Sequence, residues 1–160
     1  NKAAKKCRIP VIAGGGYVDG FGLAAALAMG AEGVVLGTRF VAVKECPVHD
    51  NFKQWVVDAE ETDTVLCQKS IRNMVRVADN ATARECLELE KDPEITVEKL
   101  MPVIQGTRGR TCYANGDTDG CLFPIGTCVG LIETIPSVEE VIQSMIMEYE
   151  QAMKRLQGIG

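Results

Sequence analysis

IPVIAGGGYVDGFGLAAALAMGAEGVVLGTRF, residues 9–40, decides how the rest of the chain is read. RIPVIAG (8–14) is a β-branched run bounded by glycine, the pattern of a short strand buried on both faces. DGFGLAAALAMG (19–30) follows as a short helix with an alanine-rich face, closed by Gly30. AEGVVLGTRF (31–40) then supplies a second buried strand, Val34 to Leu36, again ended by glycine. Strand, helix and strand within about thirty residues make a βαβ unit, whose strands are parallel and joined by a right-handed crossover.

Both glycine breaks therefore fall at the carboxyl ends of neighbouring parallel strands, where α/β proteins bind ligands. Gly14, Gly15 and Gly16 together forgo roughly 2 kcal/mol relative to alanines, so something must need the bare backbone. Their N–H groups face no Cβ, and the helix that follows offers the positive end of its dipole to an anion. GTRF repeats the device after the second strand, with the Thr38 hydroxyl and the Arg39 guanidinium available to phosphate oxygens. Tight strand-to-helix packing is the competing explanation for one such turn; it explains two in succession less well. A P-loop is excluded, because no Lys and Ser or Thr follow Gly20, and a dinucleotide fingerprint fails at Asp19. The spacing matches the paired phosphate cup built after the last two strands of a (β/α)8 barrel.

Composition narrows the classes. The chain has 160 residues, 46% of them hydrophobic, enough for a sizeable core. No run approaches the roughly 18 to 20 apolar residues that span a bilayer, and no apolar leader is present at the start, so a cytoplasmic protein without membrane contact is expected. A net charge of −5 with scattered Lys and Arg argues against nucleic acid. Cysteines at 7, 46, 67, 86, 112, 121 and 128 lack disulfide or zinc spacing and read as reduced thiols packed as small hydrophobes; no metal is expected. His49 has no partner in the sequence and reads as structural. DTDG (117–120) resembles part of a calcium loop, but the remaining ligand positions do not fit.

Beyond residue 50 the chain is less legible. Phe52, Trp55 and Val56 lie at helical spacing and read as a core stripe. An extended piece precedes a helix from about Asn80 to Glu90. Arg72, Arg76 and Arg84 are open to an acidic substrate or to solvent, solvent being preferred. Residues 106–130 hold six glycines and read as a long functional loop whose Leu122, Phe123 and Ile125 need burial. Ser137 and Glu140 form a capping box, and Val138, Val141, Ile142, Met145, Ile146, Tyr149 and Met153 make the apolar stripe of a final helix.

The segment from Ile9 to Lys53, and NGDTDGCLFPIGTCVGLIETIPSVEEVI (115–142), resemble the nitronate monooxygenase family, formerly the 2-nitropropane dioxygenases, which includes the FMN-dependent enoyl-acyl-carrier-protein reductases II. The resemblance runs along nearly the whole chain; ECPVH and the C-terminal glycine loop distinguish it from other phosphate-binding barrels. It implies an α/β fold, the C-terminal part of a TIM (β/α)8 barrel comprising its last two βα units, with a helical and loop extension. Segments of 1–58 (barrel units), 59–105 (mixed insertion) and 106–160 (glycine-rich loop and last helix) follow from it. The family's flavin phosphate loops fall on Gly15, Gly16, Gly37 and Thr38; Gly14, where relatives commonly have alanine, is counted with these cofactor-binding residues, as is Thr127, where many relatives carry glutamine. The implied activity is FMN-dependent oxidation of alkyl nitronates with O2. The alternative within the family is enoyl-thioester reduction with NAD(P)H; outside it stands a non-catalytic nucleotide-binding scaffold. The catalytic histidine of the monooxygenases has no counterpart here, and none is assigned. Family members run to about twice this length, as a barrel of about 250 residues requires. The resemblance therefore implies a C-terminal portion, inactive alone, completed by an N-terminal half or a second copy of itself.

Overall fold

The computed structural model describes residues 1–159. After a short helix α1 (Lys2–Lys6), strand β1 (Ile12–Gly14) and strand β2 (Gly33–Val35) pair in parallel, Ile12 opposite Gly33 and Gly14 opposite Val35. Helix α2 (Gly20–Ala28) joins them. Asp19 caps it, its carboxylate accepting from the Gly22 N–H at 2.7 Å, and Gly30, at φ +96°, turns the chain out of it. The βαβ unit read from the sequence is present, with a shorter first strand. Its burial differs from expectation. Ile12 is 51% and Val35 60% exposed, because the two strands form a sheet by themselves and only one layer of helix covers them.

Helices α3 (Thr38–Val41) and α4 (Asp50–Asp58) follow, the latter burying Phe52 and Val56 as its spacing predicted. Strands β3 (Thr64–Cys67) and β4 (Val75–Ala78) form an antiparallel hairpin, Thr64 opposite Ala78. Asn80 caps α5 (Ala81–Leu89), at the expected place, and Thr96 caps α6 (Val97–Ile104). The hairpin, α5 and α6 share a core of Cys67, Val77, Ala83, Cys86, Leu100 and Val103.

Residues 106–130 are not one loop. Their first ten form helix α7 (Gly106–Asn115), ended by Gly116 at φ +82°. Gly106, Gly109 and two threonines disfavour a helix there, and tertiary contacts override them. Tyr113 stands edge-on to Phe52 with ring centroids 4.9 Å apart, Cys112 is buried, and Arg108 bonds the Gly120 carbonyl and, at 3.2 Å, the Thr82 hydroxyl. Phe123 and Trp55 complete the aromatic cluster, which sits in a core that also holds Val18, Ala42, Val56, Val129 and Ile132. A 3-10 turn (Thr127–Leu131) leads to α8 (Val138–Gln157).

The capping box at Ser137 and Glu140 is formed. The apolar stripe of α8 is split: Val141 and Met145 are buried against α2 and β2, whereas Ile142, Ile146 and Met153 face outward. Helix α8 crosses α2 at Gly20, where a Cβ would lie 2.1 Å from the Met145 carbonyl and 2.4 Å from the Tyr149 nitrogen. No helix among the described residues is long and apolar enough to cross a membrane.

Candidate anion cup at the ends of the parallel strands

The β1–β2 register sends the loops after Gly14 and Val35 off the same edge of the sheet. Gly15 at φ +98° and Gly16 at φ +79° lie in the left-handed region, so the turn itself demands glycine there. Packing does not: nothing among the described residues lies within 4 Å of a Cβ built on Gly15, Gly16 or Gly37. At Gly14 the nearest atom would be Val35 Cβ at 3.9 Å, an ordinary contact. Gly37 has φ −104°, open to any residue, so neither conformation nor crowding calls for glycine. What a side chain at Gly37 would fill is the space beside the strand ends. The N–H groups of Gly15, Gly16 and Gly37 have no acceptor among the described residues. That combination of open space and free donors is what an anion needs.

Two expected contributors are absent from the cup. The N-terminus of α2 is already closed by carboxylates, the Gly20 N–H donating to Glu148 at 2.7 Å and the Gly22 N–H to Asp19, so its dipole end is not free for a phosphate. Arg39 also turns away. It is 7% exposed, and its Nη2 donates to the Ala42 carbonyl at 2.9 Å and the Thr134 carbonyl at 3.2 Å. Its Nε is buried without a partner, and burial draws the guanidinium pKa below its ordinary value. The two loops thus present main-chain donors and no cation.

Thr38 connects the cup to the C-terminal loop. Its Oγ1 accepts the Gly126 N–H at 2.9 Å, which leaves the hydroxyl proton for a ligand oxygen. A Cβ on Gly126 would come within 3.3 Å of that oxygen and of Cys128 Sγ, tighter than an ordinary contact, so a side chain there would push one of them back by a few tenths of an ångström. Thr127 follows, exposed, at the start of the 3-10 turn. Gly14, Gly15, Gly16, Gly37 and Thr38 therefore share one sheet edge, with Thr127 one residue from the bond that ties the C-terminal loop to it. The sequence reading missed Gly126; the glycine in FPIGTC was its signal.

Other candidates resolve as structure. His49 caps α4, its Nδ1 accepting from the Asn51 N–H at 3.2 Å. Arg76 donates to Thr64, and Arg84 pairs with Asp79 at 2.9 Å. Arg72 is exposed at φ +56°. Burial pushes the Cys67 and Cys121 thiols up to about 12, which keeps them unreactive. No cluster of histidine, cysteine and carboxylate among the described residues could hold a metal.

The donor set fits the phosphate of a mononucleotide: main-chain N–H groups in an open turn, one hydroxyl, and no side chain in the way. The chain is 31% identical over 157 residues to a nitronate monooxygenase of Paraburkholderia phytofirmans, covering 96% of this chain and 41% of the relative. It is 27% identical to a (3aS,4S,5R,7aS)-5-hydroxy-7a-methyl-1-oxo-octahydro-1H-indene-4-carboxyl-CoA dehydrogenase of Rhodococcus jostii, over 95% of this chain and 52% of that one. The structure of FabK from Thermotoga maritima superposes with a TM-score of 0.90 at 34% identity, over 99% of this chain and 50% of that chain. The chain spans about half the length of the curated relatives it matches, and so carries an α/β part of a barrel. The family model for nitronate monooxygenase matches residues 1–148, and the chain belongs to that family.

Proposed function

We propose that this chain forms the phosphate end of the flavin site in an FMN-dependent oxidoreductase that oxidises alkyl nitronates with O2. The observation that carries the reading is Gly37, a glycine with ordinary φ and nothing near its missing Cβ, set beside the left-handed Gly15 and Gly16 with their free N–H groups. In this reading those N–H groups and the Thr38 hydroxyl hold the phosphate of FMN, Gly14 lets the strand end close beside it, and Thr127 borders the flavin from the C-terminal loop. The flavin, when bound, supplies the electron chemistry; the chain supplies the donors that position its phosphate. Strands β1 and β2 are then the last two of the barrel, the other strands coming from an N-terminal half or from a second copy of the chain. Seven unpaired thiols fit a reducing, cytosolic setting.

Reduction of an enoyl thioester with NAD(P)H is the second reading, favoured by the 34% identity to FabK over 99% of the chain. The visible absorbance of the purified full-length protein tests the flavin assignment; a colourless protein that folds and stays colourless with added FMN overturns it and leaves a non-catalytic scaffold. Rapid-mixing reduction of the flavin by a nitronate, against reduction by NADH, then separates the two activities.

A further inference from the structure

A cavity of about 370 Å3 opens between the start of α2, the segment from Leu131 to Pro136 and the first half of α8. Its volume falls in the range of small-ligand sites. Arg39 lies in its wall and is 7% exposed. The Nη2 of that guanidinium is taken by the Ala42 and Thr134 carbonyls. Its Nε is the single buried side-chain nitrogen or oxygen without a hydrogen-bond partner among the described residues. Nor does Arg39 make an ion pair among them. A buried cation with a spare donor costs free energy until an acceptor meets it, so the cavity lacks one oxygen, best an anionic one.

The rest of the lining has the opposite need. Asp19, Glu133, Glu140 and Glu148 all reach the cavity. Asp19 and Glu148 accept main-chain N–H groups of α2, and Glu140 accepts that of Ser137. The one cation paired with any of the four among the described residues is Lys44, 3.1 Å from Glu140. A simple anion drawn to Arg39 would therefore meet the field of four carboxylates, and a simple cation drawn to them would meet Arg39 and leave its Nε unpaired. A ligand that carries both charges answers both needs. We propose that this cavity binds a small zwitterion, a carboxylate and an ammonium on one short carbon frame. The carboxylate sits at the free edge of the Arg39 guanidinium, and the ammonium among Asp19, Glu133 and Glu148. The cavity shares no lining residue with the glycine cup, and the proposal does not depend on the flavin reading.

The probes are glycine, 4-aminobutanoate and 6-aminohexanoate, each with its two halves, an alkylamine and an alkanoate of matching length, titrated calorimetrically into the full-length protein at low ionic strength. At least one zwitterion is expected to bind about tenfold or more tighter than either of its halves, because each half leaves one charged hydrogen bond unmade. Glu133 is exposed and makes no ion pair, so Glu133→Gln removes one carboxylate from the cavity without touching the core. It is expected to weaken that zwitterion about threefold to fivefold with an unchanged melting temperature. Glu139 lies outside the lining, and Glu139→Gln is expected to leave the affinity as it was, which separates the cavity from the general charge of the protein. Arg39→Lys keeps a cation and removes the Nε donor. It is expected to bring the zwitterion down to the affinity of its amine half; where that variant does not fold, the ligand series and Glu133→Gln decide. No binding of any zwitterion, a half that binds as tightly as the whole, or equal effects of Glu133→Gln and Glu139→Gln overturns the proposal.

Discussion

Gly37 separates a cofactor role from a structural one more cleanly than any other residue of the cup. A valine at Gly16 would be strained at φ +79° whether or not a phosphate sits nearby, so loss of flavin there is ambiguous. At Gly37 a Cβ has nothing within 4 Å and φ is −104°, so Gly37→Val starts from open space and an ordinary backbone. The variant, in the full-length protein, is expected to melt as the parent does and to lose its flavin absorbance; retained flavin would refute the cup. Thr38→Val is expected to be milder in flavin retention, yet to destabilise by about 1 to 3 kcal/mol through the stranded Gly126 N–H, as thermal unfolding would show. The contrast between Thr38 and its neighbour shows what a sequence conveys at this scale. A hydroxyl at a strand end is readable as a donor. Whether Arg39 faces a ligand or the interior depends on the Thr134 carbonyl, 95 positions away in the chain.

At the scale of elements, the α2–α8 crossing depends on one missing methyl group. Gly20→Ala would drive a Cβ into the main chain of α8 at Met145 and Tyr149, where no rotamer change relieves it. Separation of the helices, a loss of several kcal/mol and a lower melting temperature are expected; a melt like the parent's would show that the crossing is looser than it looks. Helix α8 also has a pH signature. The Ser137 N–H, with Lys44, holds the Glu140 carboxylate down at about 2, against an ordinary value of 4.5. A depressed carboxylate stabilises fully above its ordinary pKa and loses that contribution as the pH falls through the folded value. Melting temperature should therefore fall between about pH 4.5 and pH 2 in the parent, and less steeply in Glu140→Gln, whose titration is gone. Equal slopes would show that the capping box contributes nothing to acid stability. The box was legible because its hydrogen bonds are local, three residues apart. Helix α7 was not, because glycine and threonine oppose it locally and the contacts of Arg108, Cys112 and Tyr113 that hold it are tertiary.

For the whole molecule, the exposed faces set the expectation. Ile12 and Val35 on the sheet, and Ile142, Ile146 and Met153 on α8, present apolar surface that a stable monomer would cover. At about 25 cal/mol per Å2, ~400 Å2 of such surface corresponds to about 10 kcal/mol, comparable to the net stability of a domain. The two-stranded sheet also leaves both edges open to pairing. The isolated chain is therefore expected to self-associate, or to bind a chain supplying the rest of the barrel, and to turn over no substrate alone. Light scattering decides it: a soluble monomer with a cooperative melt and turnover would contradict the reading of β1 and β2 as barrel strands.

The βαβ unit, the two glycine turns, the α5 cap and the α8 capping box were determined by the sequence itself, because each rests on interactions a few residues apart: hydrophobic period, left-handed glycine, side chain to nearby N–H. Tertiary structure alone decided that Glu148 occupies the Gly20 N–H at the start of α2, that Arg39 reaches the Thr134 carbonyl, that Thr38 meets Gly126 and that α7 is helical. Each of those depends on a partner distant in the chain, and no local preference encodes where a distant carbonyl or carboxylate will lie once the core has formed.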